Sequence, residues 1–403
     1  MASPATRIDY LDGVRAFALL LGIVFHASLS FMPVYIGWAV MDVSTGDIVP
    51  VFVLVSHSFR MELFFLVAGF FSRMTLQRKG MQDFLSSRLL RIGLPFVAGW
   101  FVLRPLLVSG WILGGQSLRG DVDVAAALEA GFATFGSLPA GLFVGTHLWF
   151  LYYLLLITAL TLLVRGCVGV SGSLSHTGSR VLDTLTAWVA RSRAGLLVAA
   201  LPVAGCLWFM DNWGMDTPDR SLVPDLQVLA VYGGFFVFGW CLQRVPVRMD
   251  DLSRLSAWRL VCLVVALVVT VFLADVQSEP THARYAWLRG VFVFTYAVMM
   301  WHLVAASIGL FRRFFDRPSP VVRYLADASY WLYLVHLPLV VWLQVMVAEW
   351  PLHWSIKLAV VCLATVGLSL LVYDAVVRST WAGKVLNGRR RPRVIFGRAR
   401  SGL

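Results

Sequence analysis

Long apolar runs dominate the chain, and they are longer than a soluble helix needs. A hydrocarbon slab about 30 Å thick takes roughly 20 residues of helix. Stretches near that length recur at 11–36, 50–72, 92–114, 142–165, 194–210, 225–243, 259–275, 288–310, 324–347 and 355–377. Hydrocarbon offers backbone N–H and C=O groups no partner outside their own segment, so these runs are helices. The pattern predicts an all-α, polytopic integral membrane protein of about 10 transmembrane helices, with the fifth and seventh short. Composition agrees, since 59% of the 403 residues are hydrophobic and only 14% are charged. One membrane-embedded domain is expected over 1–383, with a basic, disordered cytoplasmic tail over 384–403.

Lys and Arg test this map independently, because loops that stay in the cytoplasm retain positive charge. They collect at alternate joints. Arg73, Arg78, Lys79, Arg88 and Arg91 follow the second span, and Arg312, Arg313, Arg317 and Arg323 follow the eighth. The joints after spans four and six and the C-terminal tail repeat the pattern, so that 27 of the 34 Lys and Arg fall on one side. An even number of spans with both termini cytoplasmic follows. The net charge of +12 is then a topology signal and not the footprint of a nucleic-acid partner. The tail "GRRRPRVIFGRAR" reads as a solvated segment, with contact to anionic lipid heads as the alternative. Five cysteines lack any paired spacing suited to disulfides or zinc, and no metal site is expected. The first span has no clear small-residue cleavage site and is read as an uncleaved helix.

Some polar residues interrupt the apolar runs, and these are the candidates for chemistry. In "LDGVRAFALLLGIVFHASLSF", Arg15 and His26 are eleven residues apart. On a helix they lie within about 20° of one face and about 16 Å apart in depth, with Gly22 and Ser30 near the same stripe. An ionisable residue near mid-depth marks a pathway or a site more often than it fills a core, and imidazole suits proton transfer near neutral pH. The bland alternative is an Arg15 that snorkels and a His26 that bonds a neighbouring helix. The second span, "SHSFRMELFFLVAGFFS", adds His57, Arg60 and Glu62. Arg60 and Glu62, two apart, do not face each other, so each is expected to look toward another helix. "FLSSRLLRIGLPF" then places Arg88 and Arg91 on one face at the cytoplasmic start of the third span, as anchors or as a bidentate phosphate grip.

An Arg, ten residues and a His in the first span, followed by Arg-x-x-Arg after the second, resemble the membrane acyltransferase-3 superfamily. The segments "HSFRMELFFLVAGFFS", "THLWFLYYLLLIT", "ASYWLYLVHLPL" and "LVYDAVVR" resemble, in order, its glucans biosynthesis protein C branch, so the resemblance covers nearly the whole chain. It implies a transmembrane O-acyltransferase of the bacterial inner membrane. The acyl group, succinyl in that branch, would pass from cytoplasmic acyl-CoA to hydroxyls of a periplasmic glucan or other envelope glycan. Acyl-CoA, succinyl-CoA in this branch, would be a donor substrate, with no cofactor held permanently. The partners implied are the donor, the glycan acceptor and membrane lipids, with no nucleic acid.

Roles follow from that expectation. Arg15, Arg88 and Arg91 would dock the phosphates of acyl-CoA. His26 would act as general base on the acceptor hydroxyl or as a covalent acyl relay, with Glu62 a candidate to hold its tautomer or assist at the oxyanion. Arg60 would bind the distal carboxylate of a succinyl donor or sit in a buried ion pair. His57, His336 and Trp149 are candidates to touch substrate or brace the site. For His336 a helix-packing hydrogen bond is equally expected. His147 and Trp149 suit an interfacial anchor, with sugar stacking the alternative for Trp149. Asp327 and Asp374 are expected to neutralise nearby arginines. Two other classes fit the same topology: a glycan or lipid-carrier transporter or flippase without covalent chemistry, and a scaffold for a glucan synthase.

Overall fold

A computed structural model describes residues 8–117, 120, 122–137, 146–170, 172–212, 214–218, 221–244 and 247–396. α1 (Asp9–Ser28) carries Asp9 and Asp12 in its first turn, where carboxylates complement the helix dipole, and ends in a 3₁₀ turn at Leu29–Phe31. An irregular segment leads to α2 (Val49–His57), α3 (Arg60–Arg88) and α4 (Leu94–Ser117). The short α5 (Val124–Ala133) is capped by Asp123, whose carboxylate accepts from the Ala126 amide. Then come α6 (Trp149–Val170), α7 (Gly172–Arg191), α8 (Gly195–Trp208), α9 (Leu226–Arg244) and α10 (Val247–Leu252). Ser256 caps α11 (Ala257–Ala274), which leads to α12 (Tyr285–Phe315). Ser319 and Pro320 start α13 (Pro320–Val347), as cap and first-turn residue should. α14 (Trp354–Val372) and α15 (Trp381–Asn387) complete the set, and there is no strand among the described residues.

Eight segments are long and apolar enough to cross a bilayer, nine if α7 and α8, bent by 112°, form one. One of the eight, Val49–Ser117, has 69 residues, about 100 Å of helix and over three times the hydrocarbon depth. It breaks at Gly80, whose φ of +78° no helix accommodates. α3 and α4 therefore cross separately, which gives nine segments, or the ten expected from hydropathy if α7 and α8 form one. The first span is shorter than its expected 11–36, since helix ends at Phe31. Residues 142–145 of the fourth expected span lie outside those described.

Contacts fix the directions. Arg323 meets Asp9 at 3.2 Å near the starts of α13 and α1, and Gln344 meets the His26 carbonyl near their far ends, so the two run parallel. α4 joins them in the same direction, through Tyr330 to the Arg91 carbonyl and Trp342 to the Leu106 carbonyl. α14 runs the other way, with Trp331 on the Ser369 carbonyl and Arg378 near Asp327. The start of α1 and the end of α14 thus share one face, the face that also carries the ion pairs Arg312–Asp250, Arg244–Asp183 and Arg191–Asp251. α12 is the most enclosed helix, while α11 and α14 lie outside and expose apolar side chains such as Phe272 and Leu363 that belong in lipid.

The closest helix pair is α3 with α9, where a Cβ on Gly69 or on Gly239 would stand 1.9 Å from a backbone oxygen of the other helix. Small residues let two backbones approach where lipid supplies no hydrophobic drive. On the opposite side from the termini, the segment after Phe31 folds back and is tied down by Asp42, which meets Lys357 at 2.7 Å with both side chains fully buried. Burial pushes the Asp42 carboxyl above the usual carboxylate range even with the ammonium beside it.

The tail departs from expectation. Residues 384–396 are docked and not loose: α15 continues to Asn387, and the Asp374 carboxylate accepts the amides of Val394, Ile395 and Phe396. Arg391 reaches Asp327 at 2.9 Å. Asp327 thus pairs with arginines as expected, whereas Asp374 serves mainly as a backbone clamp. The last residues, 397–403, lie outside those described.

Candidate active site

Four of the eight histidines converge toward the end of the bundle away from the termini. The His26 ring lies 5.4 Å from that of His336, which lies 5.7 Å from that of His147, and Phe25 stacks on His57 at 5.4 Å while touching His26 at 5.1 Å. His26 sits in the last turn of α1, about 26 Å along it from Asp9. That is past the expected mid-depth and toward the exported side.

Three of these rings are fixed by backbone carbonyls, which can only accept. His57 Nε2–H donates to Met215, His147 Nε2–H to Leu334, and His336 Nδ1–H to Tyr333. The Leu334 carbonyl is free to receive His147 because Pro338, four residues on, has no N–H to give it. His26 differs. No group among the described residues hydrogen-bonds its half-buried ring, whose Nδ1 is buried without a partner, and Nε2 is the accessible nitrogen. Its place is nevertheless well fixed. Trp38 stacks on it at 5.7 Å and 17°, and Gln344, buried, donates to the carbonyls of His26 and Ala27 while accepting from Trp38 Nε1. Trp38 in turn meets Trp111 edge-on at 5.2 Å, and Trp111 is partly exposed.

Arg60 reaches this group from the start of α3. Its guanidinium lies 4.3 Å over the Phe25 ring and beside Gly22. It is within electrostatic reach of His26, His57 and His336. The expected buried ion pair is not formed: Arg60 makes none among the described residues, and Nη1 is buried without a partner. Glu62 is a correction. It is fully buried with both oxygens unpartnered, and its electrostatic neighbours are Arg60, Tyr232 and Tyr296, not His26. Two positions on a helix differ by about 200°, so Arg60 facing α1 turns Glu62 toward α9 and α12. Glu62 therefore does not orient the His26 ring.

Arg15, Arg88 and Arg91 occupy the other end of the bundle. Arg88 donates to Ser72 and lies over Phe84, and Arg91 stands within its electrostatic reach in a π-helical turn at Leu89–Gly93. Arg15 is half-exposed, 3.5 Å from Asp12 on its own helix. The parallel register of α1 and α13 sets Arg15 near the level of Tyr330, whose hydroxyl donates to the Arg91 carbonyl. The three arginines thus share a level about 16 Å below His26. Trp149 is a second correction: its ring is 7% exposed and stacked on Tyr232, which leaves no face for a sugar. No three His, Cys, Asp or Glu among the described residues converge as metal ligands.

Trp38, Gln344 and His147 complete this site, and the sequence pattern did not single out the first two. Gln344 carries a signal in retrospect, since an amide within "VVWLQVMV" needs a partner in hydrocarbon.

A helical bundle with arginines at the face that holds the start of α1 and clustered histidines toward the opposite face defines a membrane protein with an internal site. A family model described as an acyltransferase domain, acyltransferase-3, matches residues 8–374, and the chain belongs to that family of membrane acyltransferases. It is similar to glucans biosynthesis protein C of Salmonella paratyphi B, with 24% identity over 379 residues that cover 93% of each chain. The protein of that description from Salmonella typhi is 25% identical over 383 residues, again 93% of each. No solved structure matches the chain.

Proposed function

We propose that this membrane acyltransferase moves a succinyl or related acyl group from cytoplasmic acyl-CoA to a hydroxyl of a periplasmic glucan or other envelope glycan, with His26 as general base. The observation that carries this reading is the His26 ring: alone among the four clustered histidines it has no carbonyl among the described residues holding its nitrogens, while Trp38 and Gln344 fix its position. A base must offer a free lone pair at a fixed place. Nε2 takes the proton of the acceptor hydroxyl as its oxygen attacks the thioester carbonyl. The tetrahedral oxyanion collapses, the C–S bond breaks, and the coenzyme thiolate leaves with the proton returned from His26. Arg60, an unpaired cation beside the ring, is the group suited to the oxyanion or to a succinyl carboxylate.

Arg15, Arg88 and Arg91 suit the phosphates of the coenzyme, and the pantetheine arm would span the roughly 16 Å to His26. From the exported side, the Trp111–Trp38 pair offers aromatic faces on which a sugar ring can lie next to His26. Mass spectrometry of periplasmic and envelope glycans from cells with the intact protein, without it, and with His26→Ala at matched expression tests the reading. Loss of one acyl mass increment in both defective strains is expected, and the increment names the acyl group. Unchanged acylation with an altered distribution of glycan across the membrane would establish transport instead.

A further inference from the structure

A second pair of arginines lines a cavity beside α3. A cavity of about 260 Å³ opens where α3 breaks at Gly80, lined by Arg73, Leu76, Gln77, Met81, Arg165 and Trp240. Arg73 lies 5.7 Å over the Trp240 ring with its Nε buried and unpartnered, and neither Arg73 nor Arg165 forms an ion pair among the described residues. The nearest carboxylate, Asp183, is engaged by Arg244 at 2.9 Å. Two guanidiniums, Arg73 partly buried and Arg165 exposed, thus line one cavity with no carboxylate partner among the described residues, an arrangement that suits an anion shared between them.

The surroundings choose among anions. Arg73 stands 13 residues along α3 from Arg60, about 20 Å toward the face with the termini, which sets the cavity at the head-group level of that leaflet. Its walls are mostly apolar, and beside Arg165 the outer face of α6 presents exposed Leu160, Leu163 and Val164. A free phosphate has no use for such walls, whereas a phospholipid does: its phosphate meets the arginines and its acyl chain lies along α6. We propose that this cavity holds the phosphate of an anionic phospholipid from the cytoplasmic leaflet. Basic pockets between membrane helices at this level favour such head groups.

The test is native mass spectrometry of the purified full-length protein with phosphatidylglycerol or phosphatidylcholine of identical chains. Phosphatidylglycerol is expected to be retained about tenfold better, and the preference to vanish in Arg73→Gln/Arg165→Gln. Met81→Trp, which fills the cavity and leaves both arginines in place, should abolish it too, so a poorly folded double variant does not decide the outcome. Arg317→Gln, an exposed arginine on the same face, should keep it. Equal retention of the two lipids, a preference that survives both cavity variants, or displacement by millimolar inorganic phosphate or coenzyme A would overturn the proposal, the last two by identifying a free phosphate or the donor as the occupant.

Discussion

Arg60 is the residue whose role the geometry sharpens most. It has no carboxylate partner among the described residues, so its charge is available to whatever enters beside His26. Two uses make different kinetic demands. If it holds the carboxylate of a succinyl donor, Arg60→Gln should raise KM for succinyl-CoA and leave acetyl-CoA nearly untouched. If it stabilises the oxyanion, kcat should fall by about 10²–10³ with either donor. Donor competition on reconstituted protein separates the two, and an unchanged rate with both would remove Arg60 from the reaction. Arg60, His57, His26 and His336 were legible from sequence because ionisable residues stand out in an apolar run. The Glu62 assignment failed on a detail that sequence contains but does not weigh, namely that a two-residue offset sends one side chain toward α1 and the other toward α9. Trp149 failed differently. A Trp at a span end suits the interface, and only packing against Tyr232 shows it enclosed.

At the level of elements, the spans followed from length and hydropathy, but their breaks did not. Gly80 is an ordinary residue in a polar stretch, and its φ of +78° is imposed by where α3 and α4 must go. The α3–α9 contact was equally hidden, since Gly69 and Gly239 lie far apart in sequence and neither alone indicates a partner. Their packing fixes Arg60 at one end of α3 and Ser72, the acceptor of Arg88, further along it. Gly69→Val places a branched side chain where a Cβ already meets a backbone oxygen, so α3 and α9 must separate. Melting of the detergent-solubilised variant is expected several degrees lower, with loss of acyl transfer, while Gly233→Val on α9, where a Cβ meets nothing, should match the parent. Equal melting of the two variants would show that the helices do not pack this closely. Pro338 shows the same logic in reverse: the proline was visible, but that its freed carbonyl belongs to His147 required the fold.

For the whole molecule, the arginine pattern correctly set the start of α1 and the end of α14 on one face, yet it suggested a loose tail where the structure has a strap over residues 388–396. Charge alone favours solvation, and what overrides it is one buried carboxylate, Asp374, in a π-helical turn at Tyr373–Val377 that gathers three consecutive amides at 2.9–3.1 Å. Hydrogen bonds to a charged acceptor are each worth about 1.5–3 kcal/mol, enough together to hold the strap against fraying. The strap crosses the end of the bundle where Gly388, at φ +77°, packs so closely on the Arg91 guanidinium that a Cβ would stand 2.0 Å from it. Docking the tail therefore also sets the position of an arginine proposed to hold the donor phosphates. Asp374→Ala should release the strap, so that trypsin applied to inside-out vesicles cuts after Arg393 at least about tenfold faster than in the parent. KM for acyl-CoA should rise while kcat stays, because Arg91 loses its support and His26, about 16 Å above that level, does not. Faster cleavage with unaltered KM would separate the strap from donor binding, and unaltered cleavage would show that Asp374 does not hold it.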